Sequence, residues 1–440
     1  MRSVADAHDS NAAKSFAAAD QEGWKLALAR TEKGALLPTM DNVVGILRND
    51  PAWRNVIAYD EFAGQEVKRS VPPFERGELG EWTDLDDARL ELWLAEKYHV
   101  RGFKNQALFR GVCLAADANR FHPVRDYLSG LTWDGLPRLK TLLWAYLGAN
   151  NGVESAYSEA VAVKWLVGAV ARVMKPGCKM DNVLILDGPQ GAMKSTALKV
   201  MFDPWFTDAA FEIGSTDGYQ IIRGMWCVEL AELDSFNRAA ASRSKAFFTR
   251  TEDRYRNPYG RKPVNIMRQG VFAGSVNHAT YLKDDSGNRR YWPVTVSEIE
   301  IDMLRRDRDQ LWAEALQLYR DGTEWWVRAS DRALYETEQD ERYIGDAYEQ
   351  RIRDYLDGNF AGASGRMLRV AMGDLLGKAL GLDAGKWTLV EQQRVGRIMA
   401  RIADNPDNPA APVWVRKRIG GASRERIWER VEGVADEVAA

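Results

Sequence analysis

The chain has 440 residues, 45% of them hydrophobic, which is enough for two or three domains with buried cores. A formal charge of −3 excludes a globally basic nucleic-acid binder, so any such surface must be local. Three scattered cysteines and four histidines show no metal-ligand spacing, which argues against a zinc site and suits a reducing, cytoplasmic compartment.

The first twenty residues have no apolar signal core and read as a frayed tail. Trp24–Leu28 alternates like a short edge strand, and Met40–Leu47 reads as a helix capped near Asp41. An extended segment over 56–62 and a Pro-rich loop over 71–74 precede a helix at Asp86–Tyr98 and another at Asn105–Asn119. The acidic cluster Asp84, Asp86 and Asp87 reads as a helix N-terminus rather than a metal site. His122–Gly135 reads as a compact junction whose turns are marked by Gly and Pro. Helices are expected at Arg138–Leu147 and Ser158–Met174, the latter broken by Lys164 and Arg172 and too short to cross a bilayer. The sixteen tryptophans are read as core and interface packing in preference to base stacking.

The stretch Asp181–Thr196, DNVLILDGPQGAMKST, has the order of a P-loop: a buried strand, a glycine-bearing turn, then a helix opening on Lys194, Ser195 and Thr196. In such a turn backbone N–H groups cradle phosphates, the lysine reaches the β/γ oxygens, and a hydroxyl completes the Mg²⁺ shell. The turn residues are Gly188, Pro189, Gln190, Gly191, Ala192 and Met193. Met193 stands where the pattern has glycine, bringing a side chain close to passing phosphates.

Partners follow downstream. Met225–Leu233 is an apolar strand ending in carboxylates, as a Walker-B strand must be. Glu232 is preferred for metal or water and Glu229 is its rival, because residues three apart on one strand face opposite sides. Lys245 and the stretch DRYRNPYGRK follow, the latter setting Arg254, Arg256, Arg261 and Lys262 with two tyrosines around a turn. That combination suits a hairpin holding single-stranded nucleic acid, or equally a solvated charged loop. The strand over 270–277 ends in Asn277, where a polar sensor of the γ-phosphate belongs. Arg289 and Arg290, in a turn before Tyr291, fit an arginine finger, the alternative being salt bridges to Asp284 and Asp285.

The set GPQGAMKST, WCVELAEL, DRYRNPYGR, GSVN and SGNRRYWPV, with HPVRDYLSGLTWDG upstream, resembles the virulence-associated E (VapE/VirE) proteins over about residues 40–325. These are P-loop ATPases of phages, prophages and pathogenicity islands, similar to superfamily-3 helicases of the AAA+ class. The resemblance implies phosphate binding by Gly188, Gly191, Lys194, Ser195 and Thr196, and a Walker-B role for Glu229 and Glu232. It further implies Asn277 as sensor and Arg289 or Arg290 as finger. Family members usually have glycine at the position of Met193. Relatives often carry an upstream primase region, for which this start lacks room, so any primase partner is expected to be a separate chain.

Beyond the core, Asp307–Tyr319 reads as a closing helix and Ser330–Tyr355 as a helical lid or oligomer contact. Met367–Leu380 is read as an amphipathic helix and Leu389–Ala403 as another, with Arg394, Arg397 and Arg401 at near-helical spacing. Val413–Trp428 is read as a two-stranded ribbon with Arg416, Lys417 and Arg418. Residues 386–430 hold ten Lys/Arg against five Asp/Glu. That order and charge fit a DNA-binding winged helix, which can also serve as a protein contact.

The expected fold is thus α/β: a P-loop NTPase, AAA+-like parallel sheet over residues 126–325. A mainly helical region over 1–125 precedes it, and a lid with a winged-helix-like domain follows over 326–440. The expected function is ATP hydrolysis with Mg²⁺ by a homo-oligomeric ring acting on single-stranded or forked DNA during replication, in the cytoplasm of a bacterial host and without a membrane. The alternative is a DNA-binding initiation or regulatory protein that uses nucleotide only as a switch.

Overall fold

A computed structural model describes residues 23–231, 246–256, 263–277, 288–341, 348–359, 366–403, 413–418 and 426–431. The chain divides into two compact units, Met1–Arg342 and Tyr343–Ala440.

The first unit begins with a turn of 3₁₀ helix at Gly23–Ala27, not the strand that alternation suggested. Helix α1 (Met40–Asn49) buries Val43, Ile46 and Leu47. Strands β1 (Ile57–Asp60), β2 (Gln65–Lys68) and β3 (Gly80–Glu81) join β4 (Arg120–Phe121) in a small sheet of order β3-β2-β1-β4. Between β3 and β4 lie helices α2 (Asp84–Tyr98) and α3 (Asn105–Asp117). Helix α2 opens with a capping box between Thr83 and Asp86, so the acidic cluster does sit at a helix N-terminus. Asp86 is also the buried ion-pair partner of Lys68. Val43, Leu90, Trp93 and Val112 share one core around Trp53.

The expected junction contains a helix, α4 (Pro123–Gly130), started by Pro123 and capped by the His122 ring. Leu139–Thr141 and Leu142–Tyr146 are 3₁₀ and π turns rather than one α-helix. Helix α5 (Ala156–Met174) is mostly buried and leads to the main sheet.

That sheet holds β5 (Val183–Asp187), β6 (Phe206–Thr207), β7 (Cys227–Ala231), β10 (Val271–Val276) and β11 (Tyr291–Thr295), all parallel, in the order β11-β5-β10-β7-β6. Near-continuous apolar runs are what a parallel sheet covered on both faces needs. Leu184, Leu186, Cys227 and Ala273 pack with α5, α6 (Lys194–Phe202) and α8 (Ile301–Arg320). Val183, Ile185, Val228 and Phe272 pack on the other face with Phe247, Phe248 and Tyr219 of α7 (Thr216–Ile222). Trp226, Trp292 and Trp312 are wholly buried, so these tryptophans serve packing.

The segment read as one lid helix over 330–355 is divided between the units. Helix α9 (Arg332–Glu341) packs on the main sheet, where Gln339 donates to the Tyr291 carbonyl at 2.9 Å and Tyr335 meets Trp292 at 5.2 Å. Helix α10 (Glu349–Leu356) belongs to the second unit. There β12 (Arg369–Ala371) occupies the start of the predicted helix over 367–380, because it pairs with β14 (Arg426–Arg430). Helical turns at Met372–Asp374 and Leu375–Ala379 follow it. Helix α11 (Leu389–Ala403) and β13 (Trp414–Arg418) complete the unit, and the strands form an antiparallel sheet of order β12-β14-β13. Trp414 and Trp428 bury against Leu376, Val395 and Met399.

Candidate functional site

Because the main sheet is parallel, β5, β7 and β10 end at the same edge, and the turn after β5 is held there tightly. The Gly188 N–H donates to the Val276 carbonyl at 3.2 Å, and a Cβ on Gly188 would lie 2.4 Å from the Val296 carbonyl oxygen. Only glycine fits that approach. Gly191 has φ +86°. Met193 also adopts the left-handed conformation, φ 59° and ψ 29°, directly before α6. The backbone therefore takes the shape a glycine would take, at a strain of about 1–2 kcal/mol, and the methionine side chain is 49% exposed. Pro189 and Gln190 are exposed and Ala192 is half-buried. The first N–H groups of α6 open onto this turn, the end of a helix that attracts anions.

Lys194 is buried, and its ammonium donates to the carbonyls of Gly188 and Pro189, both at 2.9 Å, and to Asn277 Oδ1 at 3.1 Å. Burial lowers its pKa, and the charges of Asp187 and Glu229 oppose that shift. The Ser195 hydroxyl donates to Glu229 Oε1 at 2.7 Å. Glu229 is 2% exposed, in the middle of β7 opposite Ala273, and its Oε2 has no hydrogen-bond partner among the described residues. Thr196 is exposed beside Ser195. The structure thus brings Glu229, the rival, to the hydroxyl; Glu232 lies outside the described residues.

A cation, a hydroxyl–carboxylate pair and an amide converge on one helix N-terminus. Among the described residues no three of His, Cys, Asp and Glu gather into a metal-binding cluster. The oxygens of Ser195 and Glu229 nevertheless suit Mg²⁺, which takes one or two protein oxygens and completes its shell with phosphate and water. The buried, half-satisfied carboxylate fits such an ion. Sequence reasoning passed over Asp187, 1% exposed where the apolar run over 183–186 ends; an acid closing a buried strand was the available signal.

Arg289 and Arg290 are not part of this cluster. They precede β11, whose register sets Tyr291 beside Val183 and Thr295 beside Asp187, so they occupy the opposite edge of the sheet. Arg290 Nε donates to Thr249 Oγ1 at 3.1 Å and lies 3.7 Å from Asp181, while Arg289 is exposed. Asp284 and Asp285 lie outside the described residues.

Of the nucleic-acid candidates, Lys245, Arg261 and Lys262 lie outside the described residues. Strands β8 (Glu252–Tyr255) and β9 (Val264–Met267) form the hairpin, with Arg254 and Arg256 exposed. Tyr255 is not presented to a ligand as expected: it is buried and stacks on Tyr219 at 5.6 Å, because alternation on β8 turns it inward. Arg268 anchors the hairpin root through a bidentate pair with Asp253 at 2.7 and 2.8 Å. In the second unit Arg394 covers the Tyr348 ring at 3.8 Å, Arg416 is exposed near Trp428, and Lys417 pairs with Glu429. Arg397 lies on α11 and Arg418 ends β13, with their side chains outside the description.

Residues 128–344 match the virulence-associated protein E-like domain. No curated protein matches the chain. An apo structure of the NrS-1 C-terminal region is 13% identical, covers 85% of this chain and 95% of that one, and gives a TM-score of 0.44. Its A-form apo structure is 12% identical, covers 85% and 96%, and gives 0.47. Likeness of that order carries no argument about function. Among the described residues no helix is long and apolar enough to cross a membrane.

Proposed function

We propose, from the match of residues 128–344 to the virulence-associated protein E-like domain, that the protein hydrolyses ATP to act on DNA in the replication of a phage or other mobile element. The observation that carries the reading is the cluster at the end of β5, where Lys194, the Ser195–Glu229 pair and Asn277 meet at the N-terminus of α6. The turn supplies backbone N–H groups to phosphates, and the Lys194 ammonium exchanges its carbonyl partners for phosphate oxygens. Asn277 holds the transferred group through its amide. Mg²⁺, when bound, neutralises charge on those oxygens, and Ser195 with Glu229 would hold it. Glu232 remains the other carboxylate for the ion or for the attacking water.

The strand order, with the loop-bearing strand second from one edge and flanked by β10 and β11, supports a P-loop NTPase core of the AAA+ type. In the second unit the succession of helix, strand, helical turns, helix and two strands supports a winged-helix-like module. Its exposed Arg416, with Arg254 and Arg256 of the hairpin, would meet DNA phosphates. Arg289 or Arg290 would act on the nucleotide of a neighbouring copy in a ring.

The test is ATP turnover with Mg²⁺, with and without single-stranded DNA, on the wild type and Lys194→Ala. DNA-stimulated turnover that vanishes in the variant is the expected result. Turnover retained by a folded Lys194→Ala protein would sink the reading. ATP binding with almost no hydrolysis would leave the nucleotide switch in its place.

A further inference from the structure

Next to the turn lies a cavity of about 550 Å³, inside the range of about 300–1,000 Å³ that small-molecule sites occupy. Its walls are the segment ahead of α5 with Asn150 and Asn151, the end of β11, Pro189 of the turn, and Glu338 of α9. This wall is tied to the turn by short contacts. The Val296 N–H donates to the Asp187 carbonyl at 2.7 Å, and the Ser297 hydroxyl to the Gly148 carbonyl at 2.8 Å. Pro189 itself accepts from the Lys194 ammonium at 2.9 Å. An occupant of the cavity is therefore held close to whatever Lys194 binds.

The charge of the lining decides what that occupant is. No lysine or arginine is among the described residues that line it, and Glu338 brings an acid. Such a surface repels a polyphosphate and accepts an uncharged polar group. Asn150 and Asn151 are both exposed and both left-handed, with φ of 51° and 52°. Two successive non-glycine residues in that region store strain of roughly 1 kcal/mol or more each, which asparagine tolerates better than other side chains. The Asn150 amide gives one hydrogen to the Val153 carbonyl at 3.4 Å, and its other hydrogen, its oxygen and the Asn151 amide remain to offer donors and acceptors, the complement of a base edge.

We propose that this cavity holds the nucleoside half of the nucleotide, with Asn150 and Asn151 reading the edge of the base. The inference rests on the phosphate reading of the turn after β5. It adds that affinity beyond the phosphates is set by this segment.

Binding separates the two layers. Full-length protein with Mg²⁺ is titrated calorimetrically with ATP, GTP and inorganic triphosphate, alongside Lys194→Ala and the double variant Asn150→Gly/Asn151→Gly. Glycine keeps the left-handed backbone while removing both amides. At least one nucleotide should bind wild type about tenfold more tightly than triphosphate, the worth of one or two hydrogen bonds. The double variant should lose that preference yet keep its triphosphate affinity, which also shows that it is folded. Lys194→Ala should lose all three ligands. A preference that survives in the double variant, or its absence in wild type, overturns the base site while triphosphate binding leaves the turn intact. If wild type binds none of the three, both readings fall.

Discussion

Replacing Lys194 with alanine perturbs two things at once, and the structure separates them. Without a nucleotide the ammonium already donates to two carbonyls at 2.9 Å and to Asn277 at 3.1 Å. A single hydrogen bond from a charged donor is worth about 1.5–3 kcal/mol. Pro189 is exposed and Gly188 half-buried, so water replaces much of what the carbonyls lose. The lost contacts and the uncompensated charge of buried Glu229 together should cost about 1–3 kcal/mol. At about 2 °C per kcal/mol for a unit of this size, Tm falls by roughly 2–6 °C. With ATP and Mg²⁺ at about a hundred times Kd, wild type should gain about 2.7 kcal/mol from binding and the variant almost nothing. Thermal unfolding with and without nucleotide reads both quantities. An unchanged Tm in the absence of nucleotide refutes the cluster's internal role, and a variant that ATP stabilises as it does wild type refutes the phosphate role.

Met193→Gly trades about 1–2 kcal/mol of left-handed strain against roughly 0.5–1 kcal/mol of added chain entropy. Its stability should therefore rise by about 0–1.5 kcal/mol while ATP affinity or turnover rises, and an unchanged or lower rate would show a loop already adapted to methionine. Mixing Arg289→Ala with Lys194→Ala should restore turnover that each lacks alone, since mixed assemblies contain interfaces with both groups intact; co-assembled but inactive mixtures would count against action between copies. Changing Arg416, Lys417 and Arg418 to alanine should flatten the salt dependence of DNA binding by roughly one log–log unit per lost phosphate contact. Lys417, already paired with Glu429, should contribute least, and an unmoved slope would make the ribbon a protein contact. His122, whose pKa burial lowers, takes up its proton at lower pH in the native chain than in the unfolded chain, whose ordinary value is 6.5. Stability should fall with pH below that value, and His122→Gln should remove part of the slope in urea titrations between pH 5 and 8; identical slopes would place the titration elsewhere.

Three strands of the core were legible because Val183–Leu186, Cys227–Leu230 and Val271–Val276 are short, near-continuously apolar runs, the second interrupted only by Glu229, which is the pattern of a sheet buried on both faces; Phe206–Thr207 of β6 is too short to give such a signal. The turn after β5 was legible for a different reason, since its residues are fixed by one local conformation. What misled were segments whose structure is set by distant partners. Arg369–Ala371 is a strand only because β14 lies beside it, and Leu139–Tyr146 forms tight turns under tertiary packing rather than an α-helix. The carboxylate preference was equally non-local. Alternation predicts opposite faces for Glu229 and Glu232, but only the approach of Ser195 from α6 sets Glu229 beside the hydroxyl; Glu232 lies outside the described residues.

The polarity of the sheet bears on how such a protein could work in company. A parallel strand of five residues spans about 16 Å at 3.3 Å per residue. Arg289 and Arg290 stand at the start of β11 and the turn after β5 at the level of its end, so an arginine side chain cannot cross that distance to its own chain's turn. Yet the edge that carries these arginines is richer in cations than in acids. Lys175, Lys179, Arg289, Arg290 and Arg332 line a groove of about 770 Å³ with Asp181, Glu336 and exposed Trp326. Cations collected beside an open groove are stabilised by an anion brought from outside the chain, and a nucleotide held by a second copy would present one. On the proposed reading one chain would carry the two halves of a composite site at opposite ends of the same strands, and a head-to-tail contact, closed into a ring, would join every half to its complement.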